Sequence, residues 1–310
     1  MLNRSKHILT VLMSVYNGMP YVKEAVDSIL NQTFKDFTFL IINDGSDDGT
    51  NEYLQKINDG RVSILNQKNS GLGAALNNGL ATIKTKYVAR MDADDIAFPE
   101  RLERQLSYLE THSDIGMLGC RFAFMLDKDT YGVSPPLPSS HEKIFLIMQK
   151  GGHSIAHPTI MFRMDVANEV GFYRINGNGQ DWDFLIRMGE AAQLANLNSI
   201  LHLFRLHPSR EEYKLRFKRI AGQEYAISCY NRRRTGLQEP AFHDFLVNWN
   251  KRPFYKRLIS IFKTISAVYY RSYVVAKLQK RPCRSLFNLV ITCIFNPLKV
   301  LLRIKKIFYH

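Results

Sequence analysis

The stretch ILTVLMSVYNGMPYVKEAVDSILNQTFKDFTFLIINDGSDDGT, Ile8 to Thr50, decides the fold. Its runs ILTVLMSV and FTFLIIND are short, apolar and rich in β-branched residues, as buried strands are. Between them, PYVKEAVDSILNQ has apolar residues at helical spacing, and Pro20 suits a first helical turn. Although basic residues precede the first run, that run is short and passes directly into Asn17 and Gly18. We therefore predict a first strand there and no signal peptide.

The same alternation continues to about residue 115. A helix is predicted from about Asp48, strands at VSILNQ and KYVARMDA, and helices at GLGAALNNGLATI and PERLERQLSYLE. Four consecutive strand and helix units predict right-handed crossovers and an α/β fold with a mainly parallel sheet flanked by helices. The polar segments YNG, NDGSDDGT, NQKNSG and DADD each follow a predicted strand. We therefore expect four functional loops at one edge of the sheet.

After Ile115 the pattern loosens into mixed strands and helices up to about Leu206, and from Pro208 the chain is helical and basic. We predict a first domain over residues 1–207, with one half at about 1–115 and the other at about 116–207. The remaining residues, 208–310, form a basic helical C-terminal region.

Charge is distributed unevenly along the chain. Residues 1–204 hold 19 basic and 23 acidic side chains, whereas residues 205–310 hold 23 and 5, with no acidic residue after Asp244. This C-terminal charge suits an anionic partner. A nucleic-acid-binding protein is one alternative, but the sequence contains no recognisable nucleic-acid-binding module. The spacing of the four cysteines indicates neither a disulfide framework nor a zinc site, which favours a reducing cytosol.

Three carboxylates, those of Asp92, Asp94 and Asp95, follow directly on a predicted strand in RMDADD. Like charges this close repel one another unless a cation or hydrogen-bond donors compensate. Two carboxylates spaced by one residue suit a hard divalent ion that carries phosphate oxygens. The alternative is an Asp-rich loop that caps the helix beginning at Pro99.

Two other loops have both a binding and a structural interpretation. In NDGSDDGT, an exposed Asp44 at the strand end would accept hydrogen bonds from a base or ribose, whereas Ser46 or Asp47 would cap the next helix. In GLGAALNNG, the two glycines resemble a dinucleotide-binding loop, but this one follows the third strand and has Leu76 where a small residue is required. We interpret its glycines as allowing a helix to begin close to neighbouring loops.

In order and together, these segments resemble the inverting nucleotide-sugar glycosyltransferases of family two, which have the GT-A fold. The resemblance covers about residues 8–207. It implies that residues 1–207 are a catalytic domain with a donor half at about 1–115 and an acceptor half at about 116–207. It implies that Asp44 contacts the base, that Asp92 contacts the ribose or the metal, and that Asp94 binds a divalent metal. The sequence departs from the family at Leu76, where many members have arginine. The implied donor-site residues are Val15, Tyr16, Asn17, Asp44, Gly71, Asp92, Ala93, Asp94, Arg205 and His207.

The segment GNGQDWDFLIRM resembles the family segment that carries the catalytic base. Gln180 replaces the first acid of that segment, and the resemblance makes Asp181 the base, at a helix N-terminus that stabilises the carboxylate. The alternative is a helix cap by Asp181 with Asp183 in the first turn. His207 resembles a position near the diphosphate and metal, and His157 begins a predicted strand on the acceptor side. Each is alternatively a structural histidine.

The resemblance implies metal-dependent transfer of a sugar from a UDP-linked donor to a hydroxyl acceptor, with inversion and with Mn²⁺ or Mg²⁺. It also implies a role in bacterial surface polysaccharide assembly, with a lipid-linked or glycan acceptor. A sugar nucleotidyltransferase is the other enzymatic alternative. That class has a Gly-rich basic triphosphate loop near its N-terminus, and LMSVYNGMPYV is not one.

From the apolar spacing and the positive charge of the C-terminal region, we predict that the protein binds peripherally to an anionic membrane, on the cytoplasmic face of the inner membrane. A second apolar run, Leu286 to Phe295, contains Asn288 and is too short to span a bilayer. Two alternatives stay open: helices that pack on the catalytic domain or form an oligomer interface, and a transmembrane hairpin. In FYKRLISIFKTISAVYY the residues at helical spacing are Phe254, Leu258, Ile261, Phe262, Ile265, Val268 and Tyr269, with Lys256, Arg257, Lys263 and Arg271 largely elsewhere.

Overall fold

The structure, a computed structural model, describes residues 7–127, 130–174, 179–206 and 212–296. The strands in these ranges are β1 Leu9–Val15, β2 Phe37–Asn43, β3 Val62–Asn66, β4 Tyr87–Asp92, β5 Ile96–Ala97, β6 Ile115–Asp127, β7 Thr130–Val133, β8 Met161–Arg163 and β9 Gln193–Arg205. The helices are α1 Val22–Leu30, α2 Thr50–Leu54, α3 Leu72–Thr82, α4 Arg101–Thr111, α5 His141–Gln149, α6 Met164–Val170, α7 Gln180–Ala191, α8 Glu212–Arg234, α9 Phe242–Lys251, α10 Phe254–Leu278 and α11 Pro282–Phe295.

The strands form one sheet in the order β3-β2-β1-β4-β8-β6-β9-β5, with β7 beside β6. The first four are parallel, as predicted. Beyond β4 the sheet is mixed, because β8 runs antiparallel to both β4 and β6, and β5 runs antiparallel to β9. The antiparallel half is formed mainly by residues from Ile115 onward, where strands and helices do not alternate regularly. Crossover helices therefore do not impose parallel pairing there. The predicted α/β fold, with a sheet flanked by helices, is confirmed.

Three strands of the parallel half, β1, β2 and β4, are buried on both faces, which explains their continuous apolar runs. Val11, Met13, Phe37 and Phe39 have no exposed surface. The register pairs Val15 with Asn43, and Ser14 with Asp92, so β1, β2 and β4 end at the same edge of the sheet. That edge carries the loops singled out from the sequence.

The described chain divides into two compact units, one within Met1–Ala123 and Pro136–Arg205 and the other within Phe124–Pro135 and Leu206–His310. The second unit contains β7 and α8 to α11, which confirms the predicted helical C-terminal region. The division of residues 1–207 into donor and acceptor halves stays a prediction. Among the described residues, none of the helices is both long and apolar enough to cross a membrane.

Candidate active site

The loop after β1 is tied to the loop after β2 by paired hydrogen bonds. The Asn17 side chain donates to Asp47 Oδ1 (2.8 Å), and Asn17 Oδ1 accepts from the Asp47 backbone N–H (2.9 Å). The Asn17 backbone N–H also donates to Ser46 Oγ (3.0 Å). Val15 is buried, whereas the Tyr16 side chain beside it is 54% exposed. The two loops therefore form one unit that leaves Tyr16 accessible to a ligand.

Asp44 joins the loop after β2 to the loop after β3. Its Oδ1 accepts hydrogen bonds from Gln67 Nε2 (2.7 Å) and the Ser70 backbone N–H (2.8 Å), and its Oδ2 accepts from the Gly71 backbone N–H (2.9 Å). Only 2% of Asp44 is exposed. The expectation of an exposed Asp44 is therefore wrong, because three donors hold its carboxylate against the neighbouring loop. Its predicted contact with a base stays a prediction.

Glycines occupy the N-caps of both helices that begin beside these loops, α2 and α3. Gly49, at φ +91°, occupies the N-cap of α2, so the cap expected from Ser46 or Asp47 is wrong. Gly71, at φ +85°, is the N-cap of α3, and its N–H is directed at Asp44. This agrees with glycines that allow α3 to begin close to its neighbours. Leu76, the departure from the family pattern, lies in the core with no exposed surface.

The acidic segment follows β4 and collects three carboxylates. Asp92, Asp94 and Asp95 each offer an oxygen, and these oxygens lie within 4.8 Å of one another, with Ala93 between the first two. Burial raises the pKa of Asp92, while its ion pair with Arg90 lowers that pKa and the nearby charge of Asp94 raises it further. Glu100, not one of these aspartates, is the N-cap of α4. The cap interpretation of the cluster is therefore wrong.

Asp95 is the structural member of the cluster. It is 1% exposed, its Oδ2 lies 2.7 Å from His202 Nε2, and its Oδ1 accepts the Arg205 backbone N–H (2.8 Å). Burial and the charges of Asp92 and Asp94 raise the pKa of Asp95 well above its usual value. Burial lowers the pKa of His202, so a neutral imidazole bridges Asp95 and Arg101. Asp95 thus fastens the acidic segment to the end of β9.

Arg205 also serves this connection. Its Nε donates to the Asp94 carbonyl oxygen (2.7 Å), and its Nη2 donates to Glu24 Oε2 (2.5 Å). Its guanidinium lies over the Tyr21 ring, 4.4 Å from the ring centroid. These contacts favour a role in positioning the acidic segment, and the predicted contact of Arg205 with a diphosphate is not tested by them. His207, predicted to lie near the same group, is outside the described residues.

Two aspartates in the first turn of α7, Asp181 and Asp183, have different surroundings. Asp183 is 1% exposed and is held by Arg174 Nη2 (2.6 Å) and Arg187 Nη2 (2.7 Å). Asp181 is half-buried, and its negative charge raises the pKa of Asp92. Gly179, at φ +99°, is the N-cap, so the expected cap by Asp181 is wrong. Of the two, Asp181 is the less buried carboxylate.

His157 lies in a short 3₁₀ helix, His157–Thr159, and does not begin a strand as expected. Its Nε2 lies 2.7 Å from the Tyr173 hydroxyl. Burial lowers the pKa of His157 well below its usual value, and the charge of Arg90 acts in the same direction. Burial raises the pKa of Tyr173, and the charge of Asp181 adds to that increase. A neutral histidine and a neutral tyrosine therefore lie beside the charged groups.

Sequence reasoning missed the cations beneath the cluster. Arg90 is 2% exposed and pairs with Asp92, while its Nε and Nη1 have no hydrogen-bond partner among the described residues. Arg101 has no exposed surface and donates to the Arg90 carbonyl oxygen (2.6 Å). Arg90 precedes Asp92 by two residues in a strand, which places both on one face, and this spacing was the available signal.

The chain resembles proteins of known class along most of its length. An O-antigen biosynthesis glycosyltransferase of Escherichia coli, WbnJ, is 31% identical over 237 residues, which cover 74% of this chain and 91% of the relative. Residues 10–171, more than half of the chain, match the family described as Glycosyl transferase family 2.

Solved structures confirm the predicted GT-A fold. A fragment of S. aureus TarS in complex with UDP-GlcNAc has a TM-score of 0.57 at 14% identity, with 92% of this chain and 90% of that one covered. Mannosyltransferase PcManGT from Pyrobaculum calidifontis, in complex with GDP-Man and Mn²⁺, has a TM-score of 0.55 at 14% identity, with 95% and 88% covered. With its strand-end loops, its acidic segment and this family match, the chain belongs to glycosyl transferase family 2.

Proposed function

We propose that the protein transfers a hexose from a UDP-sugar to a hydroxyl of a lipid-linked or glycan acceptor, with inversion at the anomeric carbon. One observation carries this proposal: Asp92, Asp94 and Asp95 gather at the end of β4, and the side-chain oxygens that they offer lie within 4.8 Å of one another. In this proposal Asp92 and Asp94 hold the metal that binds the diphosphate, and Asp181 in the first turn of α7 accepts the proton.

The acidic segment fits a divalent cation. Its side chains offer hard oxygen ligands, which Mg²⁺ and Mn²⁺ prefer. Asp95 is 1% exposed and is held by His202 and the Arg205 N–H, whereas Asp92 and Asp94 are only partly buried. Asp92 and Asp94 are therefore the residues that would hold the ion. When bound, the cation supplies positive charge for the departing diphosphate. The Mn²⁺ and GDP-Man of the PcManGT complex support the cation, and the UDP-GlcNAc of the TarS complex supports a UDP donor.

Asp181 would accept the proton of the acceptor hydroxyl. The acceptor oxygen then forms a bond to the anomeric carbon while the bond from that carbon to the diphosphate oxygen breaks, so displacement from the opposite face inverts the centre. Asp183 is unsuited to this role, because two arginines hold its buried carboxylate. The first turn of α7 favours an anionic Asp181, since helix N-termini stabilise negative charge.

The biological setting is part of the same proposal. The similarity to WbnJ, an O-antigen biosynthesis glycosyltransferase, supports a role in bacterial surface polysaccharide assembly. The 14 Lys and Arg residues after Asp244, with no acidic residue among them, support peripheral binding at the cytoplasmic face of an anionic membrane. A lipid-linked acceptor would reside there.

A donor screen tests the reaction. The purified chain is incubated with UDP-sugars and GDP-sugars, each with Mn²⁺ and with a chelator, and nucleotide release and thermal stabilisation are measured. We expect a UDP-sugar to be hydrolysed slowly and to stabilise the chain only with the metal, and the sugar released to be inverted at C1. Equal activity with the chelator, or retention at C1, would contradict the proposal.

A further inference from the structure

The hairpin formed by α10 and α11 buries polar side chains. Each residue of the two helices that is buried is small or polar: Ser260, Thr264, Ser266, Ala276, Ser285, Asn288 and Thr292. Ser266 Oγ donates to the Thr292 carbonyl oxygen (3.2 Å) across the helix pair, and the Phe262 and Phe295 rings lie 5.1 Å apart. We name this pair, Phe254–Leu278 with Pro282–Phe295, the inverted hairpin.

The outer surface of the inverted hairpin carries many large apolar side chains. Phe254 is 76% exposed, Ile294 is 64% exposed and Leu286 is 63% exposed. Other large apolar residues exposed on it are Tyr255, Ile259, Phe262, Phe287 and Val290. Helices in water hide such residues, whereas helices in lipid pair through small and hydroxyl side chains and present apolar ones outward. The hairpin therefore has polar side chains inside and apolar ones outside, which is the arrangement expected in an apolar environment.

The charged residues of the hairpin indicate which environment its outer surface fits. The sequence of the hairpin contains no acidic residue. Lys256, Arg257 and Lys263 are exposed near its beginning, and Lys280 and Arg281 are exposed in the turn between the helices. Apolar side chains interspersed with cations match a bilayer surface with anionic headgroups, where each cation contributes about 1 kcal/mol. A soluble acidic protein would satisfy the charge but not the apolar surface.

Length decides how the hairpin would lie. At about 1.5 Å per residue, the 14 residues of α11 extend about 21 Å, short of the roughly 30 Å hydrocarbon core. The cations of the turn, Lys280 and Arg281, would be left in hydrocarbon if the hairpin pointed inward. Both facts favour helices that lie parallel to the membrane plane.

We propose that the inverted hairpin is a membrane-docking element that lies flat in the interfacial layer of an anionic bilayer, with its outer apolar side chains among the acyl chains and its cations among the headgroups. The purpose of such docking, which is to keep the enzyme at the membrane where its acceptor resides, rests on the proposed function. Binding to lipid itself requires neither donor nor catalysis.

Flotation of the full chain with vesicles tests the proposal. Phosphatidylcholine vesicles with and without phosphatidylglycerol are used across a salt series. The variants are the double substitution Leu286→Gln with Phe287→Gln, and the control Leu146→Gln, which alters an exposed apolar residue of α5 in the other unit. Helix content and UDP·Mn²⁺ binding are measured for each variant, so that misfolding and failure of the proposed transferase function are recognised separately.

We expect wild type and Leu146→Gln to float with the anionic vesicles, less so as salt increases, and the double variant to bind about tenfold more weakly with unchanged UDP·Mn²⁺ binding. Three results would overturn the proposal: equal binding of the double variant, equal binding to neutral vesicles, or resistance to carbonate extraction as for a spanning segment. Self-association without vesicles that the double substitution abolishes would assign this surface to a second copy of the chain.

Discussion

The sheet and the inverted hairpin place the same kinds of residue in opposite positions. The sheet buries Phe37 and Phe39 completely, whereas the hairpin exposes Phe254 and Phe287 and buries Thr264 and Thr292. Gln105, a buried polar side chain of α4 in the other unit, has three hydrogen bonds. The difference shows that apolar side chains are not confined to interiors. Under the membrane-docking proposal, the hairpin faces lipid, and this medium determines which of its side chains turn inward.

Phe39→Ala and Phe287→Ala give the largest expected contrast. Phe39 has no exposed surface, so its truncation leaves a cavity and should cost about 3–5 kcal/mol. Phe287 is 59% exposed, so the same change should alter the free energy of unfolding by less than about 0.5 kcal/mol. Urea unfolding of both variants without lipid measures the difference. Similar losses would mean that the hairpin surface is covered in solution.

In the unit that contains most of the sheet, called the sheet unit below, Asp183→Asn tests a contribution to stability and Asp181→Asn tests a contribution to catalysis. Removing the buried charge of Asp183 leaves Arg174 and Arg187 uncompensated and should cost about 3–5 kcal/mol of stability. Asp181→Asn should retain stability and donor binding but lower transfer about 100-fold, because the amide cannot accept a proton. Single-turnover assays and thermal unfolding give both quantities, with Asp165→Asn in α6 as an exposed control. A transfer rate near wild type in Asp181→Asn would move the base elsewhere.

Gln105→Leu and Asn288→Leu compare the two polar interiors. Gln105 accepts from Arg101 and donates to the Leu118 and Thr159 carbonyl oxygens, so its loss leaves buried partners unpaired and should cost about 1–3 kcal/mol. Asn288 is buried, and its amide nitrogen has no partner among the described residues, so leucine there should be neutral or stabilising. Chemical denaturation of the two variants provides the comparison. A large loss at Asn288 would indicate that the hairpin interior depends on that amide.

The smallest expected effect is a pH dependence that belongs to the sheet unit. Hydrogen bonds from Arg61 lower the pKa of Asp59 to about 2. Because the folded pKa lies below the unfolded one, this stabilisation is present above about pH 4 and is lost as the pH falls toward 2. Asp59→Asn should remove less than about 1 kcal/mol at neutral pH, since the pair is partly exposed. An acid titration in which the variant loses stability as steeply as wild type would show that other carboxylates dominate.

The sequence was sufficient for the parallel half of the sheet, because strand and helix periodicities alternate there without ambiguity. It was insufficient for the antiparallel half, where the pairing of β6, β8 and β9 depends on contacts far apart in the chain. Asp44 was expected to be exposed, since its burial depends on donors from another loop, which a local pattern does not reveal.

The base and metal candidates came from motif resemblance, whereas their supports did not. Asp95 stood in the quoted motif without a role, and His202 gave no signal because its partners, Asp95 and Arg101, lie in other elements. In α10 the apolar spacing was recognised, but Ser260 and Thr264 were not recognised as the buried side. A helical period shows that two faces differ without showing which of them is turned inward.

Calorimetric titration with UDP in the presence of Mn²⁺ tests the central claim, that the acidic segment after β4 holds a metal-bound nucleotide diphosphate. Wild type and the control Asp114→Ala, an exposed acid outside the site, should bind UDP with Mn²⁺ and lose binding with a chelator. Asp94→Ala should fold normally and show no metal-dependent binding, because the change removes a ligand and relieves carboxylate repulsion. Unchanged affinity in Asp94→Ala, or wild-type binding that is indifferent to the chelator, would contradict the account.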